Sequence, residues 1–238
     1  MPHHCGRVGV ILRELVHGVP DLDSLAATFL FADIAGFTAL TEAHGDEEAA
    51  KLVADFSHAV DAELPTGATS KTIGDALMLR ILEPTAAVLL GLRIANDILP
   101  GHGAPVVRVG LHHGSAIERD GDYIGAAVNL AARISAAATG GEVLLSAQTA
   151  ALAPEPDDVL YESRGRRVLR NVRDPVELVA AVRKGHASER GLAIDPVCRM
   201  AVDPDRAAGR LAYEDAAYFF CSLTCAGAFA RDPRRFLG

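Results

Sequence analysis

The segment FLFADIAGFT, from Phe29 to Thr38, joins an apolar run to a glycine turn through a single aspartate. The residues from Thr28 to Phe31 predict a buried strand, Asp33 falls at its end, and Gly36 lets the chain turn into a helix. Because aspartate is a common turn residue, this segment taken alone is also compatible with an aspartate that only serves the turn.

A second segment, KTIGDALML from Lys71 to Leu79, repeats this arrangement. Ile73, Gly74 and Asp75 predict a tight hairpin, with Lys71 just before the bend. Proteins usually hold Mg²⁺ with one or two carboxylates and the phosphates of the substrate. The two aspartates therefore predict a site for divalent metal and nucleotide phosphates.

A third segment, GDYIGAAVNLAARI from Gly121 to Ile134, places Asp122 between turn glycines and then runs into a helix. Asn129 and Arg133 are four residues apart, so they share one face of that helix. With VRVGLHHG at residues 107–114, the three segments closely resemble the class III nucleotidyl cyclases in order and approximate spacing. The resemblance covers the chain from Ala27 to Val182.

The resemblance implies a two-metal active site. Asp33 and Asp75 match the two metal-binding aspartates, and the backbone carbonyl of Ile34 commonly helps to bind one ion. Each active site is then expected to hold two Mg²⁺ or Mn²⁺ ions.

The resemblance also assigns the nucleotide. Lys71 and Asp122 match the pair that reads the purine in adenylyl cyclases, where lysine can donate to adenine N1 and aspartate can accept from the 6-amino group. Guanine presents the opposite pattern at those atoms, and the guanylyl members usually carry glutamate and a small residue there. ATP is therefore the expected substrate.

Four further residues match positions that contact the ribose or the phosphates. Asn129 matches the residue that orients the ribose, and Arg133 the one that stabilises charge developing on the phosphates. Arg170, in VLRNVRDPVELV, stands where the family often has a lysine, and it keeps the charge while adding a bidentate fork. Arg108 matches another phosphate-contacting arginine.

The expected fold class is α+β: a ferredoxin-like nucleotidyl cyclase domain, with helices on one face of its sheet, and a small cysteine-containing C-terminal domain. The elements predicted along the chain are a helix within Arg7 to Leu25, a helix at Ala39 to Leu64, a hairpin at Thr69 to Ile81, a helix at Thr85 to Leu99, a strand at Val106 to His112, a helix at Ala126 to Ala137 and a strand at Glu142 to Ser146.

Cyclases of this class build the active site between two catalytic domains, and one such domain is present here. The resemblance therefore implies a head-to-tail homodimer with two equivalent shared sites. One chain would supply Asp33 and Asp75, and the other would supply Lys71, Asp122, Asn129, Arg133 and Arg170.

The last 45 residues hold three of the four cysteines in an aromatic-rich piece. Cys221 and Cys225 share a face if they lie on a helix, and Cys198 precedes them on a proline-containing knuckle. The segments DPVC and YFFCSLTC resemble the YHS and TRASH family of small metal-associated domains. A domain this small needs a staple, and soft thiolates suit Zn²⁺ or Cu⁺.

Two questions about the C-terminal cysteines stay open at this stage. The fourth ligand could come from His186, Met200 or a partner chain, or the site could be three-coordinate, which favours copper slightly. Alternatively, the cysteines are compact hydrophobic residues of a small core.

The length and composition fit a soluble enzyme. The two resemblances imply an N-terminal extension (1–25), a cyclase domain (26–183), a linker (184–193) and a YHS-like metal-binding domain (194–238). A net charge of −8 argues against nucleic acid as the main partner. Arg93 and Asp97 interrupt the best apolar run, so no membrane segment is expected, and the N-terminus lacks an export signal, so the expected location is cytoplasmic.

The sequence thus favours an adenylate cyclase that converts ATP to 3′,5′-cyclic AMP and pyrophosphate at a homodimer interface, modulated by metal in the C-terminal domain. The alternatives are a non-catalytic adaptor that senses metal and binds nucleotide, and a cyclase that prefers GTP.

Overall fold

The computed structural model describes residues 24–99, 103–185 and 192–237. An eight-stranded sheet lies at the centre of the larger, N-terminal domain, with strand order β2-β3-β1-β4-β6-β8-β7 and β5 paired to the end of β4. This sheet and its helices confirm the α+β prediction. The strands are β1 (Ser24–Ile34), β2 (Thr69–Ile73), β3 (Ala76–Ile81), β4 (Val107–Arg119), β5 (Asp122–Ile124), β6 (Val143–Ser146), β7 (Val159–Arg167) and β8 (Val176–Arg183).

Strand β1 lies between β3 and β4 and is antiparallel to both. The register places Asp33 opposite Ala76 on one side and opposite Arg108 on the other. Because β1 is covered on both faces, its residues form a nearly continuous apolar run rather than a strict polar and apolar alternation.

Two helices, α1 (Phe37–His44) and α2 (Asp46–Asp61), occupy the region where one helix was predicted from Ala39 to Leu64. The single-helix prediction is wrong because Gly45, with φ 86° and ψ 164°, takes a conformation that suits glycine and interrupts the helix. Three acidic residues fill the first turn of α2, where the helix dipole favours negative charge.

The remaining helices of this domain agree with the sequence pattern. Helix α3 (Pro84–Asn96) begins with a proline in its first turn, α4 (Ala126–Ala137) has the predicted bounds, and α5 (Ala147–Leu152) follows β6. The strand predicted from Val106 to His112 continues to Arg119 as the longer β4, and β6 confirms the next predicted strand.

Helices cover both faces of the sheet, so the prediction of helices on one face is wrong. Leu30 and Ala32 pack in a cluster with residues of α2 and α3, whereas Ala27 and Phe29 pack with residues of α4 on the opposite face. Successive residues of a strand point to opposite faces, and both sets are apolar here. Each face therefore needs its own helical cover.

The C-terminal domain consists of β9 (Ala193–Ile194), β10 (Ala201–Val202), β11 (Gly209–Tyr213), β12 (Ala216–Phe220), α6 (Leu223–Arg231) and a 3₁₀ turn (Pro233–Phe236). Its small core centres on Phe229, which contacts four aromatic rings at centroid distances of 5.0–6.3 Å. Cys198 and Cys225 are fully buried in the same core.

The helix predicted between Arg7 and Leu25 falls on residues outside those described, apart from Ser24 and Leu25, which begin β1. Within the described residues, no helix has the length and apolar character required to cross a membrane.

Gly110 of β4 lies directly under helix α4, where an added Cβ would overlap the backbone of Ile134 and Ser135. We therefore expect Gly110→Ala to lower the free energy of unfolding by at least about 1–3 kcal/mol, as overpacking does.

The variant Ser135→Ala, at a residue that contacts Gly110, should instead raise the free energy of unfolding. The Ser135 hydroxyl is buried without a hydrogen-bond partner among the described residues, and its removal should stabilise the domain by about 1 kcal/mol.

Urea denaturation of both variants beside the wild type measures these two changes. An unchanged denaturation midpoint for Gly110→Ala would show that the contact between β4 and α4 is looser than described.

Candidate functional site

Asp33 and Asp75 come together at one end of the strands β1 and β3. Asp33 is the penultimate residue of β1, and Asp75 lies in the β2–β3 turn beside Gly74, whose φ of 65° makes the tight bend. Burial raises the pKa of Asp75, and the nearby charge of Asp33 raises it further. Two partly buried carboxylates that repel each other offer hard oxygen ligands to a cation, which would relieve this repulsion.

Arg108 joins the carboxylate pair from the neighbouring strand. Its Nε donates to Oδ2 of Asp33 at 2.7 Å, and a second guanidinium nitrogen donates to the same oxygen. The structure therefore places this predicted phosphate-binding arginine directly on a predicted metal ligand. A cation that binds Asp33 has to share its carboxylate with Arg108.

The side chain of Ile34, by contrast, is 1% exposed and packs in the core. Its backbone alone is therefore available to a metal ion.

Lys71 and Asp122 form an ion pair, with Nζ donating to Oδ2 at 2.8 Å. Lys71 extends from β2 and Asp122 begins β5, so the pair joins two segments that are distant in sequence. The hydrogen bond from Lys71, aided by the backbone N–H of Tyr123, lowers the pKa of Asp122. Both side chains are about half exposed, and they present one cationic donor beside one anionic acceptor.

Asn129 and Arg133 lie one turn apart on the exposed side of α4, opposite the residues that pack on the sheet. Arg170 is exposed in the loop between β7 and β8. Within the described residues, no side-chain hydrogen bond or ion pair links these three residues to Asp33 or Asp75. Each chain thus carries two separate sets of polar residues: the carboxylates Asp33 and Asp75, and the exposed residues Asn129, Arg133 and Arg170.

Three cysteines and one histidine converge where the C-terminal domain meets α1. The Sγ atoms of Cys198 and Cys221 are 3.4 Å apart, and those of Cys221 and Cys225 are 3.8 Å apart. His44 places Nε2 at 3.5 Å from Sγ of Cys221 and 3.9 Å from Sγ of Cys225. All four ligand atoms lie within 4.8 Å of one another.

These spacings suit one tetrahedral ion. Zinc bonds of about 2.3 Å to sulfur and 2.0–2.1 Å to nitrogen place neighbouring ligand atoms roughly 3.5–3.8 Å apart at tetrahedral angles. The four observed spacings lie within a few tenths of an ångström of that range.

Asp195 holds the cysteine segments in place. Its buried carboxylate accepts from the backbone N–H groups of Val197 and Cys221, both at 2.8 Å. The Ser222 hydroxyl caps α6 by accepting from the N–H of Cys225 at 3.1 Å. Hydrogen bonds from Cys198 and Cys221 lower the pKa of Cys225 to about 2, so one sulfur of the cluster favours the thiolate form that a metal needs.

Sequence reasoning missed His44 and Asp195. Asp195 could have been found from the DPVC segment, because an aspartate before a proline often accepts hydrogen bonds from the following turn. His44 carries no local signal, since it ends a helix of the other domain. Of the suggested fourth ligands, His186 lies outside the described residues, and Met200 packs against the C-terminal core.

Comparison with known families finds two matching regions in the chain. Residues 23–179 match the adenylate and guanylate cyclase catalytic domain, and residues 193–238 match the YHS domain. The metal-ligand cluster therefore combines residues from both matched regions.

Among curated proteins, the chain is similar to a pH-sensitive adenylate cyclase of Mycobacterium tuberculosis, with 34% identity over 72% of the chain and 44% of that protein. It is also 36% identical to an adenylate cyclase of Streptomyces griseus over 48% of the chain and 29% of that protein. The chain thus spans less than half the length of these relatives.

Among solved structures, the adenylyl cyclase CyaB from P. aeruginosa superposes with a TM-score of 0.58 at 25% identity, covering 69% of the chain and 98% of that structure. This superposition supports the described fold of the N-terminal domain.

Proposed function

The chain belongs to the adenylate and guanylate cyclase catalytic domain family, and on that premise we propose that it converts ATP to 3′,5′-cyclic AMP and pyrophosphate. The observation that carries this proposal is the ion pair between Lys71 and Asp122 at 2.8 Å, in a chain that also brings the carboxylates of Asp33 and Asp75 together. The pair supplies one donor and one acceptor suited to adenine, and the carboxylates supply ligands for the phosphate-bound cations.

Asp33 and Asp75, with the backbone carbonyl of Ile34, would hold two Mg²⁺ or Mn²⁺ ions. Their hard oxygen ligands and mutual repulsion fit divalent cations. When bound, such ions supply charge that lowers the pKa of the ribose 3′-hydroxyl and neutralises the leaving phosphates.

The remaining polar residues bind and orient the nucleotide. Asn129 holds the ribose so that its 3′-oxygen faces the α-phosphorus in line with the leaving pyrophosphate, and Arg133 neutralises charge that develops on the phosphates. Arg170 and Arg108 bind the phosphate oxygens, with guanidinium groups that can donate two parallel hydrogen bonds.

Base selection follows from donor and acceptor positions. Lys71 donates to adenine N1 and Asp122 accepts from the 6-amino group, whereas guanine offers a donor at N1 and an acceptor at the 6-position. A site built to pair with one pattern leaves its polar groups unpaired against the other, which can reject the wrong substrate by about 10⁴-fold.

The catalytic unit in this proposal is a head-to-tail homodimer. Asn129, Arg133 and Arg170 are exposed and have no side-chain partner among the described residues, which supports their use by the active site of a second chain. Each of the two equivalent sites would combine Asp33 and Asp75 of one protomer with the Lys71–Asp122 pair and the exposed residues of the other.

The C-terminal domain has a second, separate role as the site of a thiophilic ion. Cys198, Cys221 and Cys225 supply three sulfur ligands with suitable spacing, and their softness favours Zn²⁺ or Cu⁺ over Mg²⁺. A core this small gains stability from such an ion, because the free energy of metal binding contributes to folding.

The substrate proposal predicts that the protein forms cyclic AMP from ATP and little cyclic GMP from GTP. Lys71→Glu should lower kcat/KM for ATP by about 100-fold or more, because it replaces the donor to adenine N1 with an acceptor. Lys51→Glu makes the same charge change on an exposed face of α2 and should leave turnover unchanged. The measurement is identification of the cyclic product by mass, and a wild-type preference for GTP under matched metal would refute the assignment of Lys71 and Asp122.

The shared-site proposal predicts complementation. Asp33→Ala and Arg133→Ala should each abolish activity, and a random mixture of the two should recover about one quarter of wild-type activity. Half of its dimers would be mixed, and each mixed dimer would have one intact site. Mixing Asp33→Ala with Asp75→Ala should recover nothing, since both defects fall on the same side of the site. Verified mixed dimers of the first pair that stay inactive would contradict the divided site.

The metal proposal predicts about one zinc or copper ion per chain after anaerobic purification with metal supplied. A double variant with Cys221→Ser and Cys225→Ser should retain almost none, because two of three sulfur ligands are lost. Cys5→Ser, which changes the remaining cysteine of the sequence, should keep full metal content. Elemental analysis decides between these outcomes, and equal, near-zero metal in wild type and double variant would remove the proposal.

A further inference from the structure

We propose that His44 is the fourth ligand of the C-terminal metal ion, so that this ion bonds the YHS domain to helix α1 of the cyclase domain. This inference rests on the proposed binding of metal by the three cysteines and goes beyond it by assigning a ligand from the other domain. It makes the ion a connection between two domains rather than an internal staple of the smaller one.

The positions of the four ligand atoms carry the assignment. Nε2 of His44 lies 3.5 Å and 3.9 Å from the sulfurs of Cys221 and Cys225, which is the separation expected of ligands that share one small tetrahedral ion. Cys198 completes the cluster at 3.4 Å from Cys221. Three cysteines and one histidine form a common structural zinc set, and four ligands remove the reason to favour copper.

His44 is directed to this position by the end of its helix. It is the last residue of α1, Gly45 turns the chain away immediately after it, and Nε2 of His44 lies within 4 Å of the sulfurs of Cys221 and Cys225. The adjacent Ala43 packs against the core that contains Cys198, Phe220 and Cys225. The histidine therefore approaches the cysteines as part of a packed junction.

The rest of the junction is incompletely packed. A cleft of about 480 Å³ separates α1 from the C-terminal domain, with Ala39 and Glu42 on one side and Thr224, Ala228 and Arg235 on the other. The ion pair of Glu42 with Arg235 is long, at 3.6 Å, and exposed, so it contributes little. A bond from the ion to His44 would supply the strong connection that this packing lacks.

Backbone hydrogen bonds also join the two domains. Gly103 donates to the carbonyl of Ala201 at 2.8 Å, and Ala201 donates to the carbonyl of Ala104 at 2.9 Å. These two hydrogen bonds fix the C-terminal domain at a second point, on the segment that leads into β4. With two points fixed, the cysteines face His44 in a defined orientation.

The C-terminal domain also contacts the chain close to the catalytic carboxylate Asp33. Arg199, next to Cys198, packs on Gly36 so closely that a Cβ on Gly36 would lie 2.9 Å from the Cβ of Arg199. Gly36 precedes the first residue of α1 and follows Asp33 by three residues. Helix α1 is thus held by the C-terminal domain at both ends, with the ion at one end and Arg199 at the other.

The test compares wild type, His44→Ala, His44→Cys and the control His58→Ala, which removes an exposed histidine from α2. Each full-length protein is titrated with Zn²⁺ against a competing chelator and with Co²⁺, whose absorption reports the number of thiolate ligands and the coordination geometry. We expect His44→Ala to bind Zn²⁺ at least about 100-fold more weakly, with altered Co²⁺ ligand-field bands because water replaces the imidazole.

His44→Cys should restore tight binding and add a fourth thiolate-to-cobalt charge-transfer contribution, which also shows that the position tolerates substitution. His58→Ala should match wild type. Hydrogen exchange supplies an independent readout: Zn²⁺ should protect residues 36–44 in wild type and in His44→Cys, but not in His44→Ala.

The outcomes separate the two proposals. If wild type binds no zinc or copper, the cysteine site itself fails, and this inference fails with it. If wild type binds one ion but His44→Ala has the same affinity, cobalt spectrum and exchange protection, the cysteine site stands and the role of His44 is overturned.

Discussion

The antiparallel pairing of β1 with β3 and β4 at once is the constraint on which the active-site geometry depends. This register sets Asp33 opposite Ala76, so that the adjoining turn brings Asp75 to it, and also opposite Arg108, so that a guanidinium meets the same carboxylate. A shift of one residue would send the Asp33 side chain to the other face of the sheet. Such a shift would also exchange the residues of β1 between the two packed clusters, so the side-chain packing on both faces opposes it and stabilises the catalytic register.

Much of this arrangement could be predicted from the sequence, because the signals are local. Each of Asp33 and Asp75 stands beside a glycine turn, and α4 has the bounds expected from its apolar spacing. The division into α1 and α2 was missed although the sequence carries a signal for it, since Gly45 is followed at once by three acidic residues that suit the first turn of a new helix. The helices on two faces were missed although the nearly continuous apolar run of β1 is the pattern of a strand that is buried on both faces.

The cluster of His44 with Cys198, Cys221 and Cys225 could be predicted from the sequence only in part. Cys221 and Cys225 were correctly expected to lie close together, but for a different reason: Cys221 lies just before the Ser222 cap and only Cys225 is on α6, and their sulfurs are 3.8 Å apart across the start of the helix. His44 joins them from 177 positions away, through the docking of two domains, and no periodicity or motif encodes that contact. The sulfur ligands were therefore predictable, whereas the imidazole depends on tertiary structure alone.

Two ligand sets of opposite chemical character lie at the two ends of α1. Carboxylate oxygens before its first residue suit Mg²⁺ or Mn²⁺, and sulfur with imidazole at its last residue suits Zn²⁺ or Cu⁺. An eight-residue helix spans about 12 Å, so the two sets are near neighbours without sharing a ligand. In the proposed function, this difference in softness would make each set selective for its own class of ion.

The sequence separation of the cluster also has a consequence for the order of folding. During synthesis, His44 leaves the ribosome with the first domain, long before Cys221 and Cys225, and domains generally fold in the order in which they emerge. The four ligand atoms can meet only after translation has passed Cys225 and the second domain has docked. The cluster thus forms late in maturation, and a chain interrupted before that point would leave His44 at the end of α1 without its three cysteine neighbours.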